Sequence, residues 1–261
     1  MISAIIKFKA SFNRHLQSAN GHLLLSAIKH ALNSTEVSDN INVDENRKLF
    51  TLSCVVPDSF WSQFENNSFI ESYSVNMNDI MSFRITFLYD DHYEQFKDIF
   101  APGRMTIGGM GFSSIKIADV CRVDQNEWKQ APPINSVKFY FMSPVGFKNS
   151  GRQLVLPTPP AVFNSLMTKW SNAFGEELSE KYCKDINLNK IIVDSFDIRT
   201  AEFKMKDGIT FKGCVGGITY SFRDMSNDEK RALSWLSKFA FFSGVGYKTT
   251  QGLGQVIAYS A

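Results

Sequence analysis

The stretch from Gly244 to Gly254 contains the residue types and spacing that say most about chemistry. It has two Gly-apolar-Gly triplets on either side of a polar segment that carries a single lysine, Lys248. Four glycines in eleven positions do not suit a helix or an ordinary strand, because glycine there loses backbone entropy without a packing return. Glycine does permit positive φ angles and close backbone approach. Exposed N–H groups beside a lysine therefore predict a cradle for phosphate oxygens.

Spacing excludes the two common nucleotide-binding loops. A P-loop needs its lysine directly after a glycine, whereas Lys248 follows Tyr247. A dinucleotide-binding fingerprint needs a glycine where Thr249 stands, and it follows a strand rather than a helix. At this point the alternative to a phosphate cradle is a glycine-rich turn that only joins a helix to a strand.

Length and composition favour a two-domain protein with packed cores. The chain has 261 residues, and 44% of them are hydrophobic, so two domains are expected. The net charge of +2 neither requires nor excludes nucleic acid, and any basic surface has to arise from local clustering.

The cysteines and the apolar runs restrict the class of protein further. The four cysteines are scattered without a Cys-x-x-Cys pair, so neither zinc nor redox chemistry is indicated. The apolar N-terminal run is too short for a signal peptide, and no apolar run is long enough for a transmembrane helix. We therefore expect a cytoplasmic protein that does not contact membranes.

The first half of the chain predicts a strand–helix–strand–strand–helix–strand order. A helix that begins after Ser18 or Asn20 follows the first strand, and Pro102-Gly103 ends the second helix. This order is the split βαβ arrangement of a ferredoxin-like domain, expected over residues 1–125. The predicted elements are strands at 2–12, 49–56 and 81–88, helices at 20–32 and 90–100, and a hairpin over 105–120.

The second half predicts the same order and defines the fold class. Its last helix begins at a capping box, Ser226 with Glu229, and leads into the glycine-rich stretch. We expect an α+β protein with two tandem ferredoxin-like (RRM-like) domains, the second over 134–261. Its predicted elements are strands at 137–141, 190–203, 209–222 and 255–259 and helices at 161–174 and 226–240, with a bulge or bend near Gly213 to Gly217.

The glycine pattern at the C-terminus resembles a known signature. Gly-apolar-Gly, five residues that include a cation, and Gly-apolar-Gly again is similar to the motif of the CRISPR repeat-processing endoribonucleases, the Cas6 family of the RAMP superfamily. Phe141–Pro144, the helix from Phe163 to Trp170 and the segment from Phe211 to Tyr220 also resemble that family's second domain. The resemblance is loose over the whole chain and good over roughly the last fifty residues.

Membership of that family would imply a reaction on RNA. The expected partner is CRISPR repeat RNA within precursor crRNA, and the expected reaction is attack of a ribose 2′-hydroxyl on the adjacent phosphate. The products would be a 2′,3′-cyclic phosphate and a 5′-hydroxyl, with no metal and no cofactor. Such chemistry needs a base with a near-neutral pKa, which histidine provides, and cations or fixed donors to offset charge on the phosphorane.

The family's catalytic residues match this chain only in part. Its histidine corresponds to about Asn42, its first-helix tyrosine to Lys29, and its lysine to Lys48. Because the usual histidine and tyrosine are replaced, we predict His30, at the end of the first helix, as the substitute base. The remaining histidines are lesser candidates: His15, His22 and His92.

The expected RNA contacts lie in the glycine-rich stretch and beside the expected active site. We predict that Lys248, Arg47 and backbone N–H groups hold the RNA, the last at Gly244, Gly246, Gly252 and Gly254. Further loop cations that could form a basic groove are Arg14, Arg104, Lys148 and Arg152.

Two other functions remain open from the sequence alone. One is a RAMP protein that binds repeat RNA without cutting it, or holds guide RNA beside other subunits of a CRISPR effector complex. The other is a metabolic enzyme that uses the glycine-rich stretch for a small phosphate ligand.

Overall fold

The computed structural model describes residues 1–33, 50–63, 72–149, 151–175, 186–204 and 210–260. Within these residues the chain divides into two compact units. The first comprises residues up to Arg122, together with Lys204 and Thr250–Leu253. The second comprises the described residues of Val123–Phe203, Thr210–Thr249 and those from Gly254 onward. Nothing in the sequence indicates that Thr250–Leu253, in the glycine-rich stretch, group with the first unit.

The first unit is built on an antiparallel sheet. Its strands lie in the order β3 (Phe50–Leu52), β6 (Ile80–Phe87), β1 (Ile2–Ala10), β8 (Met110–Arg122) and β7 (Arg104–Ile107). The central strand β1 pairs with β6 on one side and β8 on the other, and its alternate residues from Ile2 to Ala10 are buried. Two further strands that the sequence analysis missed, β2 (Arg14–Gln17) and β5 (Ser72–Val75), form a separate two-stranded antiparallel sheet. The remaining described strand of this unit is β4 (Val56–Pro57).

Helix α1 (Gly21–Asn33) packs on this sheet through Leu24, Ile28 and Leu32, which recur every four residues and are buried. The side chain of Asn20, just before the helix, binds both backbone groups of Val55. Its Nδ2 donates to the Val55 oxygen at 2.9 Å, and its Oδ1 accepts from the Val55 nitrogen at 2.7 Å. Asn20 thus fixes the start of α1 to the segment between β3 and β4. The other helices of this unit are α2 (Phe60–Gln63) and α3 (Asp90–Lys97).

The second unit has a four-stranded antiparallel sheet. Its strands lie in the order β12 (Ile192–Lys204), β13 (Thr210–Ser221), β9 (Ser136–Val145) and β14 (Val256–Ser260). A register shift between Cys214 and Gly216 in β13 confirms the predicted bulge. A short hairpin of β10 (Phe147–Asn149) with β11 (Arg152–Leu154) follows β9 and was not predicted. The two α-helices described in this unit are α4 (Pro159–Phe174) and α5 (Asn227–Ser243).

Aromatic side chains fill the core between this sheet and its two helices. Phe139 of β9 meets Phe163 of α4 and Tyr220 of β13, with ring centroids 6.0 and 5.6 Å apart. Trp170 of α4 lies edge-on to Trp235 of α5 at 5.7 Å. Aromatic residues of both central strands therefore lie on the sheet face that the helices cover.

The main elements of both units follow the ferredoxin-like order. In the first unit β1 pairs with β8 on one side and with β6 on the other, and in the second unit β9 pairs with β14 and with β13 in the same way. In a ferredoxin-like fold the first strand pairs in this way with the fourth and the third. Two tandem ferredoxin-like folds, as predicted, are thus confirmed. Among the described residues, no helix is long and apolar enough to cross a lipid bilayer.

Candidate nucleic-acid interface

The glycine-rich stretch begins where α5 ends. The predicted capping box is present at the helix start: the Glu229 nitrogen donates to Ser226 Oγ at 3.3 Å, and the Ser226 nitrogen donates to Glu229 Oε2 at 2.7 Å. At the other end the chain leaves the helix at Gly244, whose nitrogen still donates to the Ala240 oxygen at 2.9 Å. A buried helix fixed at both ends therefore sets the starting point of the loop.

Glycine is required in this loop for two separate reasons. Gly246 has a φ of 77°, and a Cβ there would collide with the carbonyl oxygen of Gly146. Gly254 has a φ of 65°, and its Cβ would collide with the carbonyl oxygen of Val245. Each position thus combines the left-handed backbone with a close backbone approach, so any other residue is excluded twice. The remaining positive φ values in the stretch are 62° at Gly244, 56° at Lys248 and 92° at Gly252.

Most glycine N–H groups of the loop are already used inside the protein. The Gly246 nitrogen donates to Ser165 Oγ at 3.1 Å, and the Gly254 nitrogen donates to the Pro144 oxygen at 3.0 Å. With the Gly244 nitrogen bound to α5, the predicted cradle of exposed N–H groups is wrong at Gly244, Gly246 and Gly254. These glycines instead allow the backbone to fold tightly, and the groups available to a ligand are side chains.

Tyr247 of the loop lies beside two lysines, one of them from outside the loop. Lys148 Nζ lies 4.3 Å from the centroid of the Tyr247 ring and 3.2 Å from its hydroxyl oxygen. Lys248 Nζ lies 5.6 Å from the same centroid. Lys148 comes from β10, in the hairpin that the sequence analysis missed, so the fold brings together two cations about a hundred residues apart. We name Tyr247, Lys148 and Lys248 the tyrosine–lysine cluster.

Two members of this cluster, Lys148 and Tyr247, line a groove with a volume of about 590 Å³ in the second unit. The start of α4 also lines the groove, and its N-cap residue Thr158 makes no side-chain cap hydrogen bond. A helix N-terminus carries partial positive charge and favours anions, but Pro159 and Pro160 leave the first two helical positions without an N–H group. The groove therefore combines the cation Lys148 with the start of a helix. Its lining comprises Phe147, Lys148, Leu154, Thr158, Pro160, Ala161, Asn164, Ser165, Thr168, Lys169, Gly246 and Tyr247.

Lys169 lines the groove but is engaged with α5. Its Nζ donates to the carbonyl oxygens of Ser243 at 3.1 Å and Gly244 at 2.8 Å. A cation at these last carbonyls complements the negative end of the helix dipole. Lys169 thus fixes the exit of the loop from α5 rather than adding a free charge to the groove.

The second half of the loop belongs to the first unit and meets the start of α1. A Cβ on Gly21 would lie 2.7 Å from the Gly252 nitrogen, so the two backbones touch. Cys54 Sγ donates weakly to the Gly252 oxygen at 3.9 Å, and burial raises the pKa of this thiol to about 12. The first turn of α1 therefore lies beside Thr250–Leu253, the part of the stretch that belongs to the same unit.

The predicted base, His30, is on the same helix but far from that contact. Lys29 is half-buried and His30 is exposed near the helix C-terminus. Nine residues separate His30 from Gly21, which corresponds to roughly 14 Å along the helix axis. His22, the neighbour of Gly21, is half-buried and much closer to the loop. The backbone contact with Gly252, invisible in the sequence, changes the order of the candidates.

The other predicted site residues are dispersed or lie outside the described residues. His15 is exposed on β2, where its Nδ1 lies 3.4 Å from Ser74 Oγ. His92 begins α3, and burial lowers its pKa, an effect that Asp91 partly opposes. Asn42, Arg47 and Lys48 fall outside the described residues. Among the loop cations, Lys148 and Arg152 share the β10–β11 hairpin, whereas Arg14 and Arg104 are exposed on strands of the first unit.

No group of three or more His, Cys, Asp or Glu side chains in the described part of the chain is placed to hold a metal ion. The chemistry of the interface, as far as the structure describes it, is that of cations, a phenol and helix termini.

Sequence comparison finds that the second unit is similar to a known family. The family model for the CRISPR-associated endoribonuclease Cas6 matches residues 139–256, a span that contains the groove, the tyrosine–lysine cluster and the whole glycine-rich stretch. The match covers 118 of the 261 residues, so the similarity to the Cas6 family is that of the second unit. The resemblance that the glycine pattern indicated is thereby confirmed.

One relative is similar to this chain over about half of the chain's length. The CRISPR-associated endoribonuclease Cas6 of Mycobacterium tuberculosis is 27% identical over 128 residues, which are 48% of this chain and 39% of the relative. The alignment thus spans well under half of that relative.

Solved Cas6 structures match the fold over the whole chain. A Cas6 product complex aligns with a TM-score of 0.75 at 22% identity, covering 99% of this chain and 100% of that one. Thermus thermophilus Cas6 aligns with a TM-score of 0.67 at 20% identity, covering 99% and 98%. A RAMP protein that binds different RNA substrates aligns with a TM-score of 0.63 at 15% identity, covering 99% and 100%.

Proposed function

We propose that the protein is an endoribonuclease that binds CRISPR repeat RNA and cleaves precursor crRNA. The observation that carries the proposal is the arrangement inside the family match: the glycine-rich loop presents Tyr247 close to Lys148 and Lys248, and the start of α4, where Thr158 makes no side-chain cap hydrogen bond, lines the same groove as Tyr247. Paired cations and a helix N-terminus suit phosphate oxygens, and an aromatic ring suits a base or ribose face. Related Cas6 proteins have been solved as product and substrate-mimic complexes.

In the proposed reaction the attacking group belongs to the RNA itself. A base on the protein takes the proton of a ribose 2′-hydroxyl, the 2′-oxygen bonds to the adjacent phosphorus, and the bond from phosphorus to the 5′-oxygen breaks. The leaving 5′-oxygen takes up a proton. The products are a 2′,3′-cyclic phosphate and a 5′-hydroxyl, and the balance requires neither a metal nor a cofactor.

The base is proposed to be a histidine of α1. His22 adjoins the contact between Gly21 and Gly252, whereas His30 lies roughly 14 Å further along the helix. We therefore place His22 ahead of His30, which reverses the order given by the sequence. Lys29, Lys48 and Asn42 are proposed to orient the phosphate or to offset its charge, with Arg47 as an RNA contact beside them. Lys248 and the glycine loop are proposed to hold the RNA.

The test is cleavage of end-labelled repeat RNA in EDTA under single-turnover conditions, with the product ends identified. A single cut that leaves a cyclic phosphate is expected, and a 2′-deoxy substitution at the cut site should abolish it. Cleavage that needs added metal, or that survives the 2′-deoxy substitution, would refute the mechanism.

Variants at the two histidines then locate the base. His22→Ala should slow cleavage about 100-fold or more with little change in RNA affinity, because a general base contributes to the rate and not to the grip. If His30→Ala is the slow variant instead, the order of the candidates is wrong. Tight RNA binding without any product would favour the non-cleaving role, alone or with other subunits of an effector complex.

A further inference from the structure

Strand β12 forms one edge of the sheet in the second unit, and its first half carries large exposed apolar side chains. Among the described strands it pairs with β13 alone. Phe196 is 70% exposed and Ile192 is 55% exposed. Proteins usually protect an open edge from further pairing with lysine or proline, and neither occurs in residues 192–200. This half of β12 is therefore suited to pairing with another strand.

The backbone of β12 directs alternate residues toward the open edge. A Cβ on Gly216 of β13 would collide with the carbonyl oxygen of Asp197, so the backbone groups of Asp197 face β13. In an extended strand the N–H and C=O groups of successive residues point to opposite sides. The backbone groups of Phe196, Ile198 and Thr200 therefore face the open edge, where a further strand can bind them.

The side chains of β12 alternate between the two faces of the sheet. Ser195 Oγ donates to Thr219 Oγ1 at 3.1 Å, which places both residues on one face. Asp197 and Arg199 follow Ser195 at intervals of two residues, so they share that face, and both are exposed. A carboxylate and a guanidinium group thus lie two positions apart on one face of an open strand. This spacing is self-complementary, because an antiparallel second copy reverses the order of the two charges.

The charges select one register for such a pair of strands. With the two-fold axis at Ile198, Asp197 lies opposite Arg199 of the second copy, and the same pair occurs again across the axis. This register also sets Phe196 opposite Thr200, with the backbone groups of both directed at the second copy. An axis one residue earlier brings two Asp197 carboxylates together, and an axis one residue later brings two Arg199 guanidinium groups together.

Charge also limits the length of the paired segment to residues 195–201. One position beyond it, the register sets Asp194 against Glu202 of the second copy, and like charges opposite each other destabilise strand pairing. Glu202 forms an ion pair with Lys212 of its own chain at 3.1 Å. Asp194 and Asp197 disfavour RNA as the occupant of this edge, since phosphate carries the same charge.

From this complementarity we propose that two copies of the chain associate through β12 and form one antiparallel sheet with four strands from each copy. The interface is isologous, because each copy offers the same edge to the other, so pairing at β12 stops at two copies. The proposal is independent of the proposed function. Its residues belong neither to the glycine-rich stretch nor to the candidate catalytic residues.

Sedimentation velocity of the full-length protein without RNA, over a series of concentrations, tests the proposal. We expect a monomer of 29.5 kDa in equilibrium with a species of twice that mass. Asp197→Arg and Arg199→Asp should each weaken self-association at least about 4-fold, because every dimer then contains two like-charge pairs. The double variant that carries both substitutions should associate within about 2-fold of the unmodified protein, because it restores both ion pairs.

Asp194→Arg is the matched control for the change in charge. It alters the same strand outside the paired segment, and it removes the repulsion from Glu202 of the second copy. This variant should self-associate at least as tightly as the unmodified protein. Ile198→Pro tests the backbone, because it deletes an N–H group that faces the open edge, where proline is tolerated. It should remain folded by circular dichroism but stay monomeric.

The proposal is overturned if the unmodified protein stays monomeric at every concentration or associates beyond two copies. It is also overturned if the single charge reversals associate as the unmodified protein does, or if the double variant stays as weak as they are. A folded Ile198→Pro variant that still dimerises excludes β12 as the interface. If Ile198→Pro does not fold, the charge variants alone decide. Because no RNA is present, none of these results bears on the proposed cleavage of repeat RNA.

Discussion

Substitution of Gly246 by alanine is the sharpest test of why the loop contains glycine. Alanine there has to adopt a φ of 77°, which costs about 1–2 kcal/mol. It also places a Cβ against the Gly146 carbonyl, the same oxygen that accepts from the Tyr247 nitrogen at 3.0 Å. Crowding of this kind costs a further 1–3 kcal/mol or so. We therefore expect Gly246→Ala to lower the free energy of unfolding by about 2–5 kcal/mol.

Gly151 provides the matched control in the same unit. Its φ is 79°, but a Cβ there would meet no atom within 4 Å. Gly151→Ala should therefore cost only the backbone contribution, about 1–2 kcal/mol. Both variants can be compared by urea denaturation followed by tryptophan fluorescence, provided that the m-values agree. If Gly246→Ala is no more destabilising than Gly151→Ala, close backbone approach is not the reason for glycine in the loop.

Four other substitutions test contacts around the site. Asn20→Ala should lower the free energy of unfolding by about 2–4 kcal/mol in urea denaturation, because both Val55 groups lose a buried partner. Burial raises the pKa of the Cys54 thiol from 9.0 to about 12. The contribution of the protonated thiol to the free energy of unfolding is therefore present below pH 9 and is lost as the pH rises toward 12. Urea denaturation at several pH values between 9 and 12 should then show that the free energy of unfolding falls less steeply with pH in Cys54→Ala, by about 1.4 kcal/mol per pH unit. Lys148→Gln and Lys248→Gln should each lower the salt slope of repeat-RNA affinity in filter binding by about 0.7–0.9, and an unchanged slope would exclude a phosphate contact.

The order of elements could be predicted because hydrophobic periodicity and capping residues are local. The stripe of Leu24, Ile28 and Leu32 predicts α1, and Ser226 with Glu229 marks the start of α5. Both are confirmed within a few residues. The β10–β11 hairpin was missed because its strands are only three residues long. The turn residues around Gly151 were the signal that could have indicated it.

The polar face of the first sheet shows what alternation cannot reveal. Strand β6 places Ser82, Arg84 and Thr86 on the side away from the core, which predicts a solvent-exposed surface. All three are at most 2% exposed, and burial lowers the pKa of Arg84 to about 9. The Thr86 hydroxyl pairs with that of Thr51 at 2.7 Å. A sequence pattern separates two faces of a strand, but it does not say that both of them are buried.

The glycine motif was informative for a different reason than its glycines suggested. Sequence spacing predicted N–H groups that hold a phosphate, but at Gly244, Gly246 and Gly254 those groups bind the protein itself. The motif instead fixes the backbone so that Tyr247 projects beside Lys148, and so that Gly252 touches the start of α1. Four glycines therefore specify a shape, and the residues between them provide the chemistry. It follows that an intervening residue such as Tyr247 should govern RNA affinity, whereas a glycine should govern stability first and affinity only through the position of that tyrosine.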